Sequence, residues 1–200
     1  MLYLKNGGKQ LKRFIVLLTL ISVIAILSAC SSKTSLELTD KEVDIVNDKE
    51  RLGSMILQIG EKAGQEVVPI SLYYTFSIKN EGSKKVGDEA ENLMVKIEPN
   101  EKLLSVSKEV MGFNIFSPTE FLDKGVGLGY GHSFNGVLEP NTEGQYILHY
   151  NLGINEETTE AFLAPSKEQL DKLKENALEA TLIVLLGNEE IARFDLSKKE

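Results

Sequence analysis

Several short segments of this chain alternate apolar and polar residues with a period of two. The clearest is ISLYYTFSI, residues 70–78, which places five apolar side chains on one face: Ile70, Leu72, Tyr74, Phe76 and Ile78. A two-residue period with β-branched and aromatic residues predicts a strand that is buried on one side. Residues 93–97 and 145–152 alternate in the same way. These patterns predict antiparallel sheets that keep one face towards solvent.

A hairpin is predicted near the C-terminus. The segment ATLIVLL, residues 180–186, is apolar on both faces, which is typical of a central strand. The dipeptide Gly187-Asn188 then supplies turn residues before a segment in which Ala192, Phe194 and Leu196 share a face. Two strand patterns joined by such a dipeptide are typical of a β-hairpin.

Few helices are predicted. Ser166, followed three residues later by Gln169, has the spacing of a capping box at the start of SKEQLDKLKENALE. Ser117 and Pro118 begin a second pattern, with proline at the first helical position, that predicts a helix of one or two turns. Residues 36–50 fit either a capped helix or strands. We therefore expect a mainly β domain with one substantial helix near the C-terminus.

The N-terminus has a different pattern. The first thirteen residues carry four basic residues and no acidic one, and an uncharged run, FIVLLTLISVIAILSA, follows. That run is shorter than the roughly 20 residues of a stable membrane span, so the pattern is typical of a signal peptide. Leu27-Ser28-Ala29-Cys30 matches the lipobox at all four positions, and here the chain resembles bacterial lipoprotein precursors. The alternative is an uncleaved signal anchor in which Cys30 is incidental.

The resemblance implies a division of the chain into three parts. Residues 1–29 are the signal peptide, residues 30–35 are the lipidated cysteine and a short tether, and residues 36–200 are a single domain. It also implies diacylglycerol on the sulfur of Cys30 and, in some bacteria, a further acyl group such as palmitate on the new amino group. We expect the protein to be anchored by lipid at the extracytoplasmic face of the cell membrane, in a Gram-positive host.

A second resemblance concerns the fold. Leu138, Pro140, Thr142 and Tyr146 follow a pattern similar to the leucine-proline-turn-tyrosine corner of immunoglobulin-like and fibronectin-like sandwiches, in which the tyrosine hydroxyl caps a crossover loop. Short strands separated by turns also predict a sandwich. Small Gram-positive lipoproteins often carry such domains. The expected fold is an antiparallel immunoglobulin-like β-sandwich with one helix near the C-terminus.

The charge of the chain excludes some partners. Removing the first 29 residues takes away four basic residues and no acidic one, so the net charge of −8 becomes −12. A domain this acidic has no electrostatic basis for binding nucleic acid. With Cys30 as the single cysteine, no intrachain disulfide or thiolate metal site is expected. The expected partners are the membrane, through the lipid, and an envelope protein or cell-wall component.

A glycine-rich segment, GVGLGYGHSFNG at residues 125–136, is the main candidate for a binding site in the sequence. Its glycines recur at every second position from 125 to 131, which leaves one face of a strand bare and does not fit a dinucleotide-binding pattern. A bare face lets a backbone or a ring approach closely, either as internal packing or as a groove for a peptide or sugar. The residues predicted for such a binding surface are Tyr73, Tyr130, Gly127 and Gly129.

Catalytic and metal-binding patterns are weak. His132 and His149 are the two histidines, and their spacing does not predict a metal site. Ser105 and Lys108 fit the Ser-x-x-Lys pattern of penicillin-recognising enzymes, but its companion motifs are absent and the segment favours a strand or turn. We expect a non-catalytic binding module with no cofactor; the alternative is an envelope hydrolase with a carboxylate or Ser/Lys site.

Overall fold

Two antiparallel sheets dominate the computed structural model, which describes residues 35–198 apart from 89, 122, 123 and 125. The strands are β1 (Leu36–Val46), β2 (Met55–Ile56), β3 (Glu66–Val67), β4 (Ile70–Asn80), β5 (Leu93–Pro99), β6 (Leu128–Phe134), β7 (Glu143–Gly153), β8 (Ala180–Leu186) and β9 (Glu189–Asp195). The larger sheet has the order β1-β4-β7-β6, the smaller one β5-β8-β9, and β2 pairs with β3. The predicted signal peptide, Cys30 and residues 31–34 lie outside the described residues.

The strand predictions made from the two-residue period are confirmed. Residues 70–78, 93–97, 145–152 and 180–186 all lie within strands, and β8 is the central strand of its sheet. The predicted C-terminal hairpin is formed by β8 and β9. Both sheets contribute inward side chains to one hydrophobic core, so the mainly β, antiparallel fold is compatible with a β-sandwich.

Large aromatic side chains fill this core between the sheets. Tyr74, Phe76 and Tyr146 are fully buried, and Tyr74 packs edge-on against Tyr150. Complete burial of a side chain of this size stabilises the fold by about 1.5–3 kcal/mol. The core lies within the unit Ser35–Glu200, which is compact by itself.

Four helices connect the strands in the part of the chain that the structure describes: α1 (Lys49–Leu52), α2 (Glu101–Met111), α3 (Pro118–Phe121) and α4 (Lys167–Asn176). The capping box predicted for α4 is confirmed: Ser166 Oγ accepts from the Gln169 amide and the Gln169 side chain accepts from the Ser166 amide. The short helix predicted at Pro118 is also present.

Helix α2 corrects two expectations. It lies in the middle of the chain, so α4 is not the one substantial helix, and the Ser105–Lys108 segment is helical rather than a strand or turn. Asn100 caps its start by accepting from the Leu103 amide, and Gly112 ends it in the left-handed conformation. The apolar face was missed because Ser105 and Ser107 interrupt the sequence pattern, although Ser107 is itself buried together with Leu103, Val106 and Met111.

The tyrosine-corner resemblance is also corrected. Tyr146 is a buried residue of β7 in the four-stranded sheet, and its hydroxyl has no hydrogen-bond partner among the described residues. A Cβ added at Gly144 would lie 3.3 Å from this hydroxyl and 3.1 Å from Leu138 Cδ1. Gly144 therefore makes room for the ring, and the buried hydroxyl does not cap a loop of the described chain.

The four-stranded sheet has two distinct ends. Leu36 pairs with Asn80 at the end where the chain enters, and the Glu81 amide donates to the Ser35 carbonyl there. Val46 pairs with Ser71 at the other end, from which residues 47–69 extend. A second, small core stabilises that end and consists of Leu57, Val67, Ile154 and Ala161.

Candidate functional site

One row of residues crosses all four strands on the face of the sheet that points away from the core. The strand register places Asp44 opposite Tyr73, Tyr73 opposite His149, and His149 opposite Gly131. Directly opposed residues in antiparallel strands point to the same face. The predicted residue Tyr73 therefore shares its face with a histidine and with the glycine-rich strand.

Tyr73 is covered rather than presented to solvent. Its ring stacks on His149 with centroids 6.0 Å apart, and the Arg51 guanidinium lies 4.1 Å from the ring centroid. Arg51 belongs to α1, whose start is capped by Asp48 accepting from the Arg51 amide. As a result Tyr73 is only 6% exposed. The expectation of an open polar face on β4 is wrong, because Ser71 and Ser77 on the same face are also buried. At Tyr73 the cover is the segment after β1, which folds back over the ring.

His149 is held in one orientation by its neighbours. Its Nδ1 lies 3.1 Å from Oδ1 of Asn151, which also accepts from Ser71 Oγ at 2.6 Å. Because an amide oxygen only accepts, Nδ1 carries the ring proton and Nε2 keeps its lone pair. Burial lowers the pKa of His149. The hydrogen bond with Asn151 acts in the opposite direction, and the nearby His132 lowers the pKa further.

The glycines of the strand differ in their environments. A Cβ on Gly131 would lie 2.2 Å from His149 Nε2, so packing of the imidazole explains this glycine. Gly129 has only Asn151 Nδ2 nearby, at 3.9 Å from its added Cβ. Gly127 lies before β6 and packs against Gly153. Position 125 lies outside the described residues.

Tyr130 lies on the opposite face from Tyr73. It pairs with Tyr150, whose side chain points into the core, and at the edge of the sheet it remains 53% exposed. The structure therefore brings Tyr73 together with His149 and places Tyr130 on a separate surface. Gly129, opposite Asn151, shares the face of Tyr73.

The strand that carries Tyr130 is an edge strand without a charged residue. Residues 128–134, LGYGHSF, form one edge of the four-stranded sheet, which we call the β6 edge. The other edge strands of the two larger sheets carry charges: Glu37, Asp40, Lys41, Glu42 and Asp44 in β1, Lys96 and Glu98 in β5, and Glu189, Glu190, Arg193 and Asp195 in β9. Charges on an edge discourage pairing with another strand. Sequence reasoning missed this contrast because it depends on the sheet order.

The residues considered for catalysis do not form one site. Ser105 and Lys108 are exposed on α2, whose buried residues face the core. His149 lies on the outer face of the four-stranded sheet, and His132 pairs with the inward residue Leu148. Within the described part of the chain, no group of three His, Cys, Asp or Glu residues is placed to hold a metal ion.

Two further findings bear on the function. Among the residues that the structure describes, no helix has the length and apolar character to cross a membrane. Comparisons of the chain with protein-family models, with curated proteins and with solved structures gave no match.

Proposed function

We propose that the chain is a bacterial lipoprotein, held at the extracytoplasmic face of the cell membrane by lipid on Cys30. The support is the lipobox Leu27-Ser28-Ala29-Cys30, which follows a basic start and an uncharged apolar run. Each buried methylene of an acyl chain contributes about 0.8 kcal/mol, so two chains anchor a protein stably where one does not. In this proposal Cys30 is a tether and not a reactive thiol.

The domain that the lipid carries is an immunoglobulin-like sandwich in this proposal. When the seven longer strands are lettered along the chain, with β2 and β3 set aside, the sheets have the orders A-B-E-D and C-F-G. Constant-type immunoglobulin domains have that strand order. Helices α2 and α3 then lie in the C–D connection and α4 lies in the E–F connection.

The molecular role is non-catalytic: the domain binds an extended peptide segment of an envelope protein. The observation that carries this role is the β6 edge, an exposed edge strand with no charged residue. An edge strand that lacks charges and proline is a template for pairing with a further strand. In strand addition, main-chain hydrogen bonds give affinity, and side chains such as Tyr130 select the partner.

Photo-crosslinking in intact cells tests this role. A photoreactive residue in place of Tyr130 is expected to give one specific product, whereas the same residue at Lys84, in the loop after β4, gives none. Ser133→Lys places a charge on the β6 edge and removes the product, and Ser133→Thr, the matched control, retains it. A product at position 130 that survives Ser133→Lys contradicts binding at this edge.

An envelope hydrolase is the second candidate function. The observation in its favour is that Ser105 and Lys108 lie three residues apart on the exposed face of α2. Against it, both histidines lie elsewhere. A fluorescent penicillin separates the two functions, because the hydrolase predicts labelling that Ser105→Ala abolishes, and the binding module predicts no labelling.

A further inference from the structure

We propose that residues 55–67, called the hairpin tip, form a second docking site, which binds a peptide segment with lysine or arginine beside a large apolar side chain. This inference rests on the lipid anchor proposed above, and it concerns a different surface from the β6 edge.

The hairpin tip exposes two isoleucines. Ile56 and Ile59 are 57% and 60% exposed, which makes them the most exposed large hydrophobic residues of the described chain. Leu57, between them, is 1% exposed and belongs to the small core with Val67 and Ile154. The hairpin therefore buries one apolar side chain for stability and presents the other two to solvent, where they are available to a partner.

The backbone that presents these isoleucines is fixed by one carboxylate. Oε2 of Glu160 accepts hydrogen bonds from the amides of Gln58 and Ile59, at 2.7 and 3.0 Å. Lys62 Nζ lies 2.6 Å from Glu156 Oε2, which ties the far side of the hairpin to the same loop. A surface that is already ordered loses less entropy when it binds.

A cleft of about 330 Å³ lies beside Ile59, between the hairpin and residues 157–159. Glu61 and Glu157 line it, and neither carboxylate has an ion-pair partner within the described residues. Lys62, the one cation in the lining, is already paired with Glu156. An apolar side chain beside two unpaired carboxylates is complementary to an apolar side chain flanked by cations.

The position of the hairpin tip favours a peptide over the membrane as its partner. The chain enters the domain at the opposite end of β4, and 11 strand residues separate the two ends by about 33 Å. Four residues separate Cys30 from Ser35, so five Cα–Cα steps with a reach of at most about 18 Å join the lipid attachment point to the domain, which is less than the length of β4. Anionic lipids also repel the carboxylates of Glu61 and Glu157.

Three defined hexapeptides, KKLFKK, KKSSKK and EELFEE, test the proposal by titration into the isotope-labelled unit 35–200, followed by amide chemical shifts. We expect KKLFKK to shift amides in residues 56–62 and 157–160, and to bind about ten-fold more tightly than the other two peptides. Ile59→Ser weakens this binding about five-fold or more, and Glu61→Gln with Glu157→Gln reduces its salt dependence. Leu163→Ser, which changes another exposed apolar residue, leaves it unchanged.

Four results would overturn the proposal. The first is that KKLFKK causes no amide chemical-shift changes up to millimolar concentration, and the second is that EELFEE binds as tightly as KKLFKK. The third is that the protein binds phosphatidylglycerol vesicles and Ile59→Ser abolishes this binding. The fourth is that sedimentation velocity shows a dimer that Ile59→Ser dissociates. The last two identify a lipid surface or a second copy as the partner. Because the unit 35–200 lacks Cys30, these measurements do not depend on lipid attachment. A failure of the docking proposal is therefore distinguishable from a failure of the proposed anchor.

Discussion

The imidazole of His149 occupies the space above Gly131 in which any other residue would place its Cβ. The atom that would be displaced is Nε2, 2.2 Å from that Cβ position. The ring is fixed on its other side by the Tyr73 stack and by Asn151, so it has no simple way to move aside. This contact explains why position 131 is a glycine, although β-branched residues are usually favoured in strands.

Gly131→Ala is therefore expected to destabilise the domain by about 1–3 kcal/mol, because the added methyl overpacks the site. In the His149→Ala background the same change becomes neutral or stabilising, since alanine loses less entropy than glycine in a strand. Denaturant unfolding of the four proteins measures the coupling. Equal costs of Gly131→Ala in both backgrounds would show that the ring does not restrict this position.

Two buried tyrosines allow the effect of removing a hydrogen-bonded hydroxyl to be compared with that of removing an unpaired one. Tyr74 donates to the Ala177 carbonyl at 3.0 Å, whereas the Tyr146 hydroxyl has no partner among the described residues. We expect Tyr74→Phe to cost about 1–1.5 kcal/mol in the free energy of unfolding, and Tyr146→Phe to be neutral or stabilising. The opposite order of the two costs would contradict the hydrogen-bond assignment.

The capping box of α4 predicts a cost at Ser166. Ser166→Ala removes the acceptor for the Gln169 amide and is expected to lower the free energy of unfolding by about 0.5–2 kcal/mol. Ser105→Ala, the same change on the exposed side of α2, is expected to be slightly stabilising because alanine has the higher helix propensity. Thermal or denaturant unfolding of both variants decides whether the cap contributes.

His149 predicts a pH dependence of stability. Burial lowers the pKa of His149 below its ordinary value of 6.5, so on acidification the unfolded chain takes up a proton before the folded domain does. The stabilising contribution of the neutral imidazole is present above pH 6.5. It is lost as the pH falls from 6.5 through the lowered pKa of His149 in the folded domain. We expect the free energy of unfolding to fall more steeply between about pH 7 and 5 in the wild type than in His149→Gln. Parallel curves would show that His149 is not responsible.

The strands could be predicted from the sequence because their signal is local. Each alternating segment, such as residues 70–78, carries its own two-residue period, and the capping box of Ser166 is complete within four residues. Helix α2 was missed because serines interrupt its apolar face, although Asn100 and Gly112 mark its ends.

The candidate site could be predicted only in part, since it depends on which strands become neighbours. Tyr73 was identified, but its cover by Arg51 follows from the fold of the connection after β1. That Tyr130 faces the other way is set by its register with Tyr150. The uncharged composition of residues 128–134 is visible in the sequence. It points to a binding edge only once the sheet order places β6 at an edge.

The proposed function depends most on the lipid anchor, and mass spectrometry of the protein purified from membranes tests this anchor most directly. The expected result is a mature chain that begins at Cys30 and carries the mass of diacylglycerol on that residue, while Cys30→Ala accumulates as the uncleaved precursor. A membrane-bound chain that retains residues 1–29, or one that begins at Cys30 with a free thiol, would contradict the proposed function.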